Sequence, residues 1–247
     1  MAHASAWVGT LRVLLTPTGG KPAADGRPRG KGDVRSVKIP HGTRYLLITC
    51  AEPTDGQSRG VAQACRLLAK ADGVHHLAWA GGRPLQLGRR RTLRWVVVSG
   101  HGAEGEARIS DGRGRHLYSR DLPLPRGIDL YLLACYQGQE TIRQKWAAKT
   151  KATVHGCEGE TESALSTLFL LALLEHGPES AAHWFARWRE ANDRLRPHFP
   201  EMRRLYEERG KDFAAALDAI GAVVDLGPLH DILAVAKRYA PILSGLG

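Results

Sequence analysis

Short apolar runs alternate with segments of helical periodicity along the first 177 residues of the chain. The run at residues 45–49 is short, rich in β-forming residues and bounded by turn formers, which is typical of a buried strand. Strands are predicted in this way at residues 11–15, 45–49, 75–80, 94–99, 128–134 and 151–156. The helical spacing between them predicts helices over residues 55–72, 141–150 and 162–176.

Strands that alternate with helices and are apolar on both faces indicate a mostly parallel sheet covered on both sides. Alternation around Asp111-Gly112, within residues 106–121, predicts a hairpin. Beyond residue 177 the pattern is almost wholly helical, with helices predicted at residues 181–195, 201–209, 213–224 and 228–239. We therefore expect an α/β three-layer sandwich over residues 1–177, with a basic flexible loop at 19–38, and a helical C-terminal subdomain over 178–247.

The composition is that of a folded protein, with 43% hydrophobic and 24% charged residues among 247. The longest apolar run, residues 168–174, is far shorter than the roughly 20 residues of a membrane span, and the first residues lack the pattern of a secretory signal. Four cysteines are too few for a disulfide scaffold in a chain of this length, and the lack of any CxxC spacing argues against a zinc ribbon. We expect a soluble cytoplasmic protein with no membrane partner.

The formal net charge of +10 is concentrated in the first hundred residues, chiefly at residues 21–38 and 89–94. Such an excess raises nucleic-acid binding as a hypothesis. The basic stretch is rich in Gly and Pro, almost free of aromatic residues and without helix-turn-helix or zinc-finger spacing. This favours a solvated loop over a nucleic-acid site.

Two predicted strands run directly into residues that carry chemistry. The strand at 94–99 continues into Gly100-His101-Gly102, and the strand at 128–134 continues into Cys135. Functional groups collect beyond the carboxyl ends of strands in open parallel sheets. If the two strands are neighbours, the imidazole and the thiol converge, and the imidazole promotes thiolate formation. The amides of Gly102 and Cys135 then face the developing oxyanion.

A second thiol, Cys157, follows the predicted strand at 151–156, and His155 lies two residues before it. This pair is an alternative dyad or metal site, although no further ligand cluster supports a metal. Cys50 and Cys65 are interpreted as core residues.

The order strand–Ser-Gly-His-Gly, hairpin, strand–Ala-Cys-Tyr-Gln-Gly resembles the caspase-like cysteine peptidases, which include caspases, metacaspases, legumain, gingipains, clostripain, separase and bacterial CHAT peptidases. His101-Gly102 matches the His-Gly of that group, and Ala134-Cys135 matches its small residue and cysteine. The resemblance covers about residues 40–177. The stretch between His101 and Cys135 is shorter than the about 50 residues described for caspases, which favours a small bacterial or gingipain-like variant.

The resemblance implies a cysteine endopeptidase that acts on a protein substrate with Cys135 as nucleophile and His101 as base, and that needs no metal or other cofactor. Some relatives use calcium, but no loop here has a calcium spacing. Similar bacterial peptidases are tied to stress or defence responses. Many relatives are activated by cleavage of an exposed loop, which predicts processing at residues 19–38 or 88–91, by the chain itself or by a partner protease.

Three carboxylates, Glu158, Glu160 and Glu162, follow the strand that ends near Cys157. In clostripain-, separase- and CHAT-like members an acidic residue near this turn binds a basic substrate side chain, so the resemblance implies cleavage after Arg or Lys. Leu133 stands where caspases have Gln and where metacaspases and legumain have an acidic residue. The alternative is that the carboxylates merely favour the start of the next helix.

Two functions of other classes stay open. One is a catalytically inactive caspase-like interaction module, and the other is a nucleic-acid-associated regulator that uses the basic first half.

Overall fold

A computed structural model of the chain describes residues 37–50, 56–79, 85–86, 92–209, 213–222 and 224–240. All of them belong to one compact unit, residues 35–247. The predicted strand at 11–15, most of the basic loop at 19–38 and the predicted processing stretch at 88–91 lie outside the described residues.

The strands are β1 (Val37–Lys38), β2 (Tyr45–Thr49), β3 (Val74–Ala78), β4 (Leu85–Gln86), β5 (Trp95–Ser99), β6 (His101–Ala103), β7 (Glu106–Ser110), β8 (His116–Tyr118), β9 (Asp129–Leu133) and β10 (Thr153–Gly156). The helices are α1 (Gly56–Leu68), α2 (Glu140–Thr150), α3 (Ser163–His176), α4 (Ala181–Leu195), α5 (Phe199–Glu208), α6 (Phe213–Ile220) and α7 (His230–Arg238).

The central sheet has the strand order β10-β9-β5-β2-β3, and all its pairings are parallel. Numbered by their order in the chain, these five strands follow the doubly wound order 2-1-3-4-5. A second sheet of three antiparallel strands, β6-β7-β8, leaves the central sheet directly after β5. The structure thus confirms an α/β fold with a mostly parallel sheet.

Alternate residues of each central strand enter different cores, because successive side chains point to opposite faces. Leu47 packs with α1 and α3, whereas Leu46 and Ile48 pack with α2 and with the β6-β7-β8 sheet. The fold therefore has three layers, with the central sheet in the middle. The three inner strands, β9, β5 and β2, are buried on both faces for that reason.

The C-terminal helices share the core on the α3 side of the sheet. Helices α4 and α7 pack on α3, and Trp184 and Trp188 of α4 belong to the same buried cluster as Leu47. The core therefore continues across residue 177. Within the described ranges, no helix combines the length and the apolarity needed to cross a bilayer.

Candidate active site

The strands that precede His101 and Cys135 are neighbours in the central sheet. Strand β5 pairs with β9 in register, with Ser99 opposite Leu133. One residue further, the amide of Gly100 lies 3.5 Å from the carbonyl oxygen of Leu133. His101 and Cys135 each lie two residues beyond the ends of these strands, so both emerge at the same edge of the sheet.

The backbone of Gly102 lies directly against the backbone of Cys135. A Cβ atom built on Gly102 would be only 2.0 Å from the carbonyl oxygen of Cys135 and 3.0 Å from its amide nitrogen. No side chain fits in this space, which explains why glycine follows His101. The close approach fixes the position of β6, and hence of His101, relative to Cys135.

The His101 side chain is exposed and lies over the turn that follows β7. Its Nε2 atom is 3.3 Å from the position that a Cβ atom of Gly112 would occupy. Gly112 has a φ angle of +80°, a conformation that glycine adopts without strain. Gly112 therefore provides both the turn and the space for the imidazole ring.

Asp111 holds this turn together from within the protein. Its buried carboxylate accepts hydrogen bonds from the amides of Arg113 at 2.8 Å and Arg115 at 3.0 Å, and it forms an ion pair with the Arg115 guanidinium. Burial alone would raise the pKa of Asp111, but the hydrogen bonds from Arg115 and Arg113 lower that pKa on balance.

The Cys135 thiol is partly exposed and contacts the loop between β10 and α3. The amide of Thr161 donates a hydrogen bond to Sγ of Cys135 at 3.3 Å, and Oγ1 of Thr161 lies 3.6 Å from the same sulfur. A hydrogen bond donated to sulfur stabilises negative charge on it, whereas the Thr161 carbonyl oxygen, 3.8 Å from Sγ, accepts from the neutral thiol. Sequence analysis did not single out Thr161, because no local pattern indicates this contact.

The alternative thiol, Cys157, is in a different environment. It is fully buried, and its Sγ lies 3.2 Å from Nη2 of Arg196. Burial raises the pKa of the Cys157 thiol, which makes it a poor nucleophile. Burial also raises the pKa values of the Cys50 and Cys65 thiols, and both residues lie in the core as predicted. Cys135 is therefore the accessible cysteine of the described residues.

The His155 ring contacts side chains other than Cys157. Its Nε2 atom lies 2.9 Å from the Asp129 carboxylate, and its ring stacks on Tyr131 with a centroid distance of 4.8 Å. In the part of the chain that the structure describes, no group of three His, Cys, Asp or Glu side chains could hold a metal ion.

The turn after Cys135 is closely fitted to the β10–α3 loop. Tyr136 has a φ angle of +63°, which is uncommon for a residue other than glycine, and its amide donates to the carbonyl of Gly159 at 2.9 Å. The Gly138 amide donates to the carbonyl of Cys157 at 2.7 Å, and a Cβ atom on Gly138 would meet the carbonyl oxygen of Gly156 at 2.4 Å. These contacts hold the turn that follows Cys135 against the end of β10 and the β10–α3 loop.

The three carboxylates predicted for substrate binding differ in their surroundings. Glu158 and Glu160 are exposed, whereas Glu162 is buried and forms an ion pair with Arg203 at 3.0 Å. The Glu162 charge is thus already compensated within the protein. The structure brings Glu158 and Glu160 to the loop surface and directs Glu162 into the interior.

Tyr136 lies next to two carboxylates beside the Cys135 turn. Its hydroxyl donates to Glu160 at 3.4 Å. Desolvation raises the pKa of Tyr136, and the charges of Glu160 and Glu104 raise it further. Glu104, at the tip between β6 and β7, therefore adds to the negative charge on this side of Cys135. Sequence analysis missed Glu104, although it follows Gly102 by only two residues.

Comparison with models of known protein families finds no match for this chain, and comparison with curated proteins finds none. The case for a function therefore depends on the arrangement of the side chains.

Proposed function

We propose that the chain is a cysteine endopeptidase of caspase-like fold, with Cys135 as nucleophile and His101 as general base and acid. The observation that carries the proposal is the contact between Gly102 and Cys135, because the residue directly after His101 lies against the backbone of Cys135. The strand order 2-1-3-4-5, with the histidine after the third strand and the cysteine after the fourth, supports the same assignment.

The reaction begins when His101 accepts the proton of the Cys135 thiol and the sulfur attacks the carbonyl carbon of the scissile peptide bond. The negative oxygen of the tetrahedral intermediate faces the amides of Gly102 and Cys135, which form the oxyanion hole. Collapse of the intermediate breaks the C–N bond, and His101 donates its proton to the leaving amine. Water, deprotonated by His101, then hydrolyses the thioester and restores the thiol.

The substrate is a protein that is cut after Arg or Lys. Glu158 and Glu160 are exposed carboxylates on the β10–α3 loop, and Glu104 adds a third from the hairpin. None of the three forms an ion pair with another residue in the described ranges. A cationic side chain pairs with these groups, whereas an aspartate in the same position is repelled. We omit Glu162 from this set because Arg203 already pairs with it.

The experiment that tests the proposal combines a peptide library with an Arg-containing peptidyl acyloxymethyl ketone. We expect cleavage after Arg or Lys and a single adduct at Cys135. Cys135→Ala and His101→Ala should each remove nearly all activity, and the double variant should be little worse, because the two groups act as a unit. Cys65→Ala, at a buried thiol of α1, is the control that retains activity.

Two results would overturn the proposal. A ketone adduct on Cys157 together with an inactive Cys157→Ala variant would show that Cys157, on the β10–α3 loop, is the nucleophile. The absence of both cleavage and adduct in a folded protein would favour an inactive interaction module of the same fold.

A further inference from the structure

The β10–α3 loop, residues 157–162, contacts Cys135 on one side and the C-terminal helices on the other. On the Cys135 side, the Thr161 amide donates to Sγ at 3.3 Å. On the opposite side, the two residues that flank Thr161 in sequence are each held by a residue at the C-terminal end of α4.

Arg196, directly after α4, holds the residue before Thr161. Its Nε atom donates to the carbonyl oxygen of Glu160 at 3.2 Å, and its Nη2 atom lies 3.2 Å from Sγ of Cys157. Asp193 accepts a second hydrogen bond from Nη2 at 2.5 Å and so orients the guanidinium group. A Cβ atom on Gly159 would lie 2.6 Å from Cζ of Arg196, so glycine at this position leaves room for the guanidinium.

Asn192, one helical turn before Arg196, holds the residue after Thr161. Its Oδ1 atom accepts a hydrogen bond from the amide of Glu162 at 2.9 Å, and its Nδ2 atom donates to the carbonyl of Trp188 at 2.8 Å. The side chain is fully buried, and partners at both ends of the amide fix its orientation. Positions i and i+4 lie on one face of a helix, so Asn192 and Arg196 contact the loop together.

We propose that Arg196, supported by Asn192, is a positioning residue for Cys135. It fixes the peptide groups beside Thr161, and these keep the Thr161 amide directed at the sulfur. The inference deepens the proposed function, since it takes Cys135 as the reactive thiol. It also assigns the C-terminal helices a role at the site, although no residue of α4 or α5 is among the proposed catalytic residues.

The rate at which iodoacetamide alkylates Cys135 tests the proposal without any substrate. The rate is followed for the Cys135 peptide by mass spectrometry, from pH 6 to pH 9, in the full chain. We expect Arg196→Met to react about threefold to tenfold more slowly at pH 7 and the difference from the native chain to narrow toward pH 9, because the Thr161 amide is no longer held where it stabilises negative charge on the sulfur. Methionine retains most of the apolar stem and removes the fork of donors.

Arg196→Lys separates positioning from charge. A lysine ammonium keeps the positive charge but does not reproduce the planar fork that reaches Glu160 and Asp193 together. We therefore expect Arg196→Lys to react like Arg196→Met. Wild-type reactivity of Arg196→Lys would show that charge alone acts on the thiol and would overturn the positioning role.

Two control variants lie on the same helix. Arg194→Met removes an exposed arginine that contacts Glu190, and Arg187→Met removes the ion pair with Asp231 that joins α4 to α7. Both should leave the Cys135 alkylation rate unchanged, and the second should lower the melting temperature. Equal slowing in Arg187→Met, measured well below its melting temperature, would show that general destabilisation is the cause. Because alkylation needs no substrate, a chain without peptidase activity would refute the proposed function and leave this inference intact.

Discussion

The indole N–H of Trp146 donates a hydrogen bond to Oε1 of Gln137 at 2.8 Å, and both side chains are fully buried. Since Oε1 is the acceptor in this contact, Nε2 of Gln137 faces two carbonyl oxygens, that of Glu106 at 3.0 Å and that of Cys135 at 3.3 Å. Helix α2 thus determines how the Gln137 amide joins Cys135 to the hairpin that carries His101.

Replacement of this amide by a carboxylate should be costly. In Gln137→Glu a buried negative charge would face two carbonyl oxygens, so we expect the free energy of unfolding at pH 7 to fall by at least about 2 kcal/mol. The loss should shrink as the pH is lowered, because the protonated carboxyl can again donate. Urea unfolding between pH 4 and pH 8 measures this, and a pH-independent loss would contradict the orientation of Gln137. Trp146→Phe, which leaves only Oε1 without a donor, should cost about 1–3 kcal/mol at every pH.

Gly102→Ala should disable the site, because its Cβ atom would overlap the carbonyl oxygen of Cys135. We expect β6 to move away from Cys135 and the peptidase activity to fall more than about 100-fold, since small displacements of catalytic groups have effects of this size. Gly105→Ala in the same hairpin is the matched control. It has open space around its Cα atom and a φ angle of +74°, so it should cost about 1 kcal/mol of stability and little activity. Equal activities of the two variants would refute the close approach.

The acidic surface beside Tyr136 should determine the charge preference of the site. We expect Glu160→Gln and Glu104→Gln each to lower kcat/KM about threefold to tenfold for a substrate with Arg before the cut. The kcat/KM for a matched substrate with Gln at that position should stay unchanged. The effect is modest because exposed charges are screened by solvent. Glu162→Gln should lower the melting temperature through loss of the Arg203 ion pair and leave the preference unaltered. If Glu162→Gln alone changed the preference, Glu162 rather than Glu160 or Glu104 would be the residue that binds the substrate side chain.

The turn beneath His101 should contribute a pH-dependent stability. The folded-state pKa of Asp111 is lowered, so its contribution is fully present above its unfolded-state pKa of about 3.9 and is lost as the pH falls through the lower folded-state value. We expect the difference in unfolding free energy between the native chain and Asp111→Asn to be constant from pH 7 to about pH 5 and to shrink below about pH 4. Urea unfolding of both proteins measures it. A difference that does not change with pH would contradict the contacts of the carboxylate.

The central strands could be predicted from the sequence because their signals are local. The strand at 45–49 was predicted with the bounds that the structure shows, and the strand at 94–99 to within one residue. Strand β6 was missed, since three residues that include Gly102 carry no periodicity and pair only through their contact with β7. The turn between β6 and β7, which contains Gly105, was missed for the same reason.

The candidate site could be predicted only in part. His101 and Cys135 follow predicted strands, and a parallel sheet brings such residues to one edge. The contacts of Thr161, Gln137 and Arg196 depend on how distant elements pack, which no local pattern records. The three glutamates look alike in the sequence, but Arg203 from α5 compensates only Glu162.

The position of Arg196 in the chain has a consequence for biosynthesis. Chains grow from the N-terminus, and parallel sheets with contacts between distant residues fold slowly. Cys135 and Thr161 are therefore synthesised before α4, which begins at Ala181. Until α4 docks on α3, Arg196 and Asn192 cannot bind the peptide groups on either side of Thr161. On the proposal above, the Thr161 amide is therefore held at the Cys135 sulfur only after α4 has been synthesised.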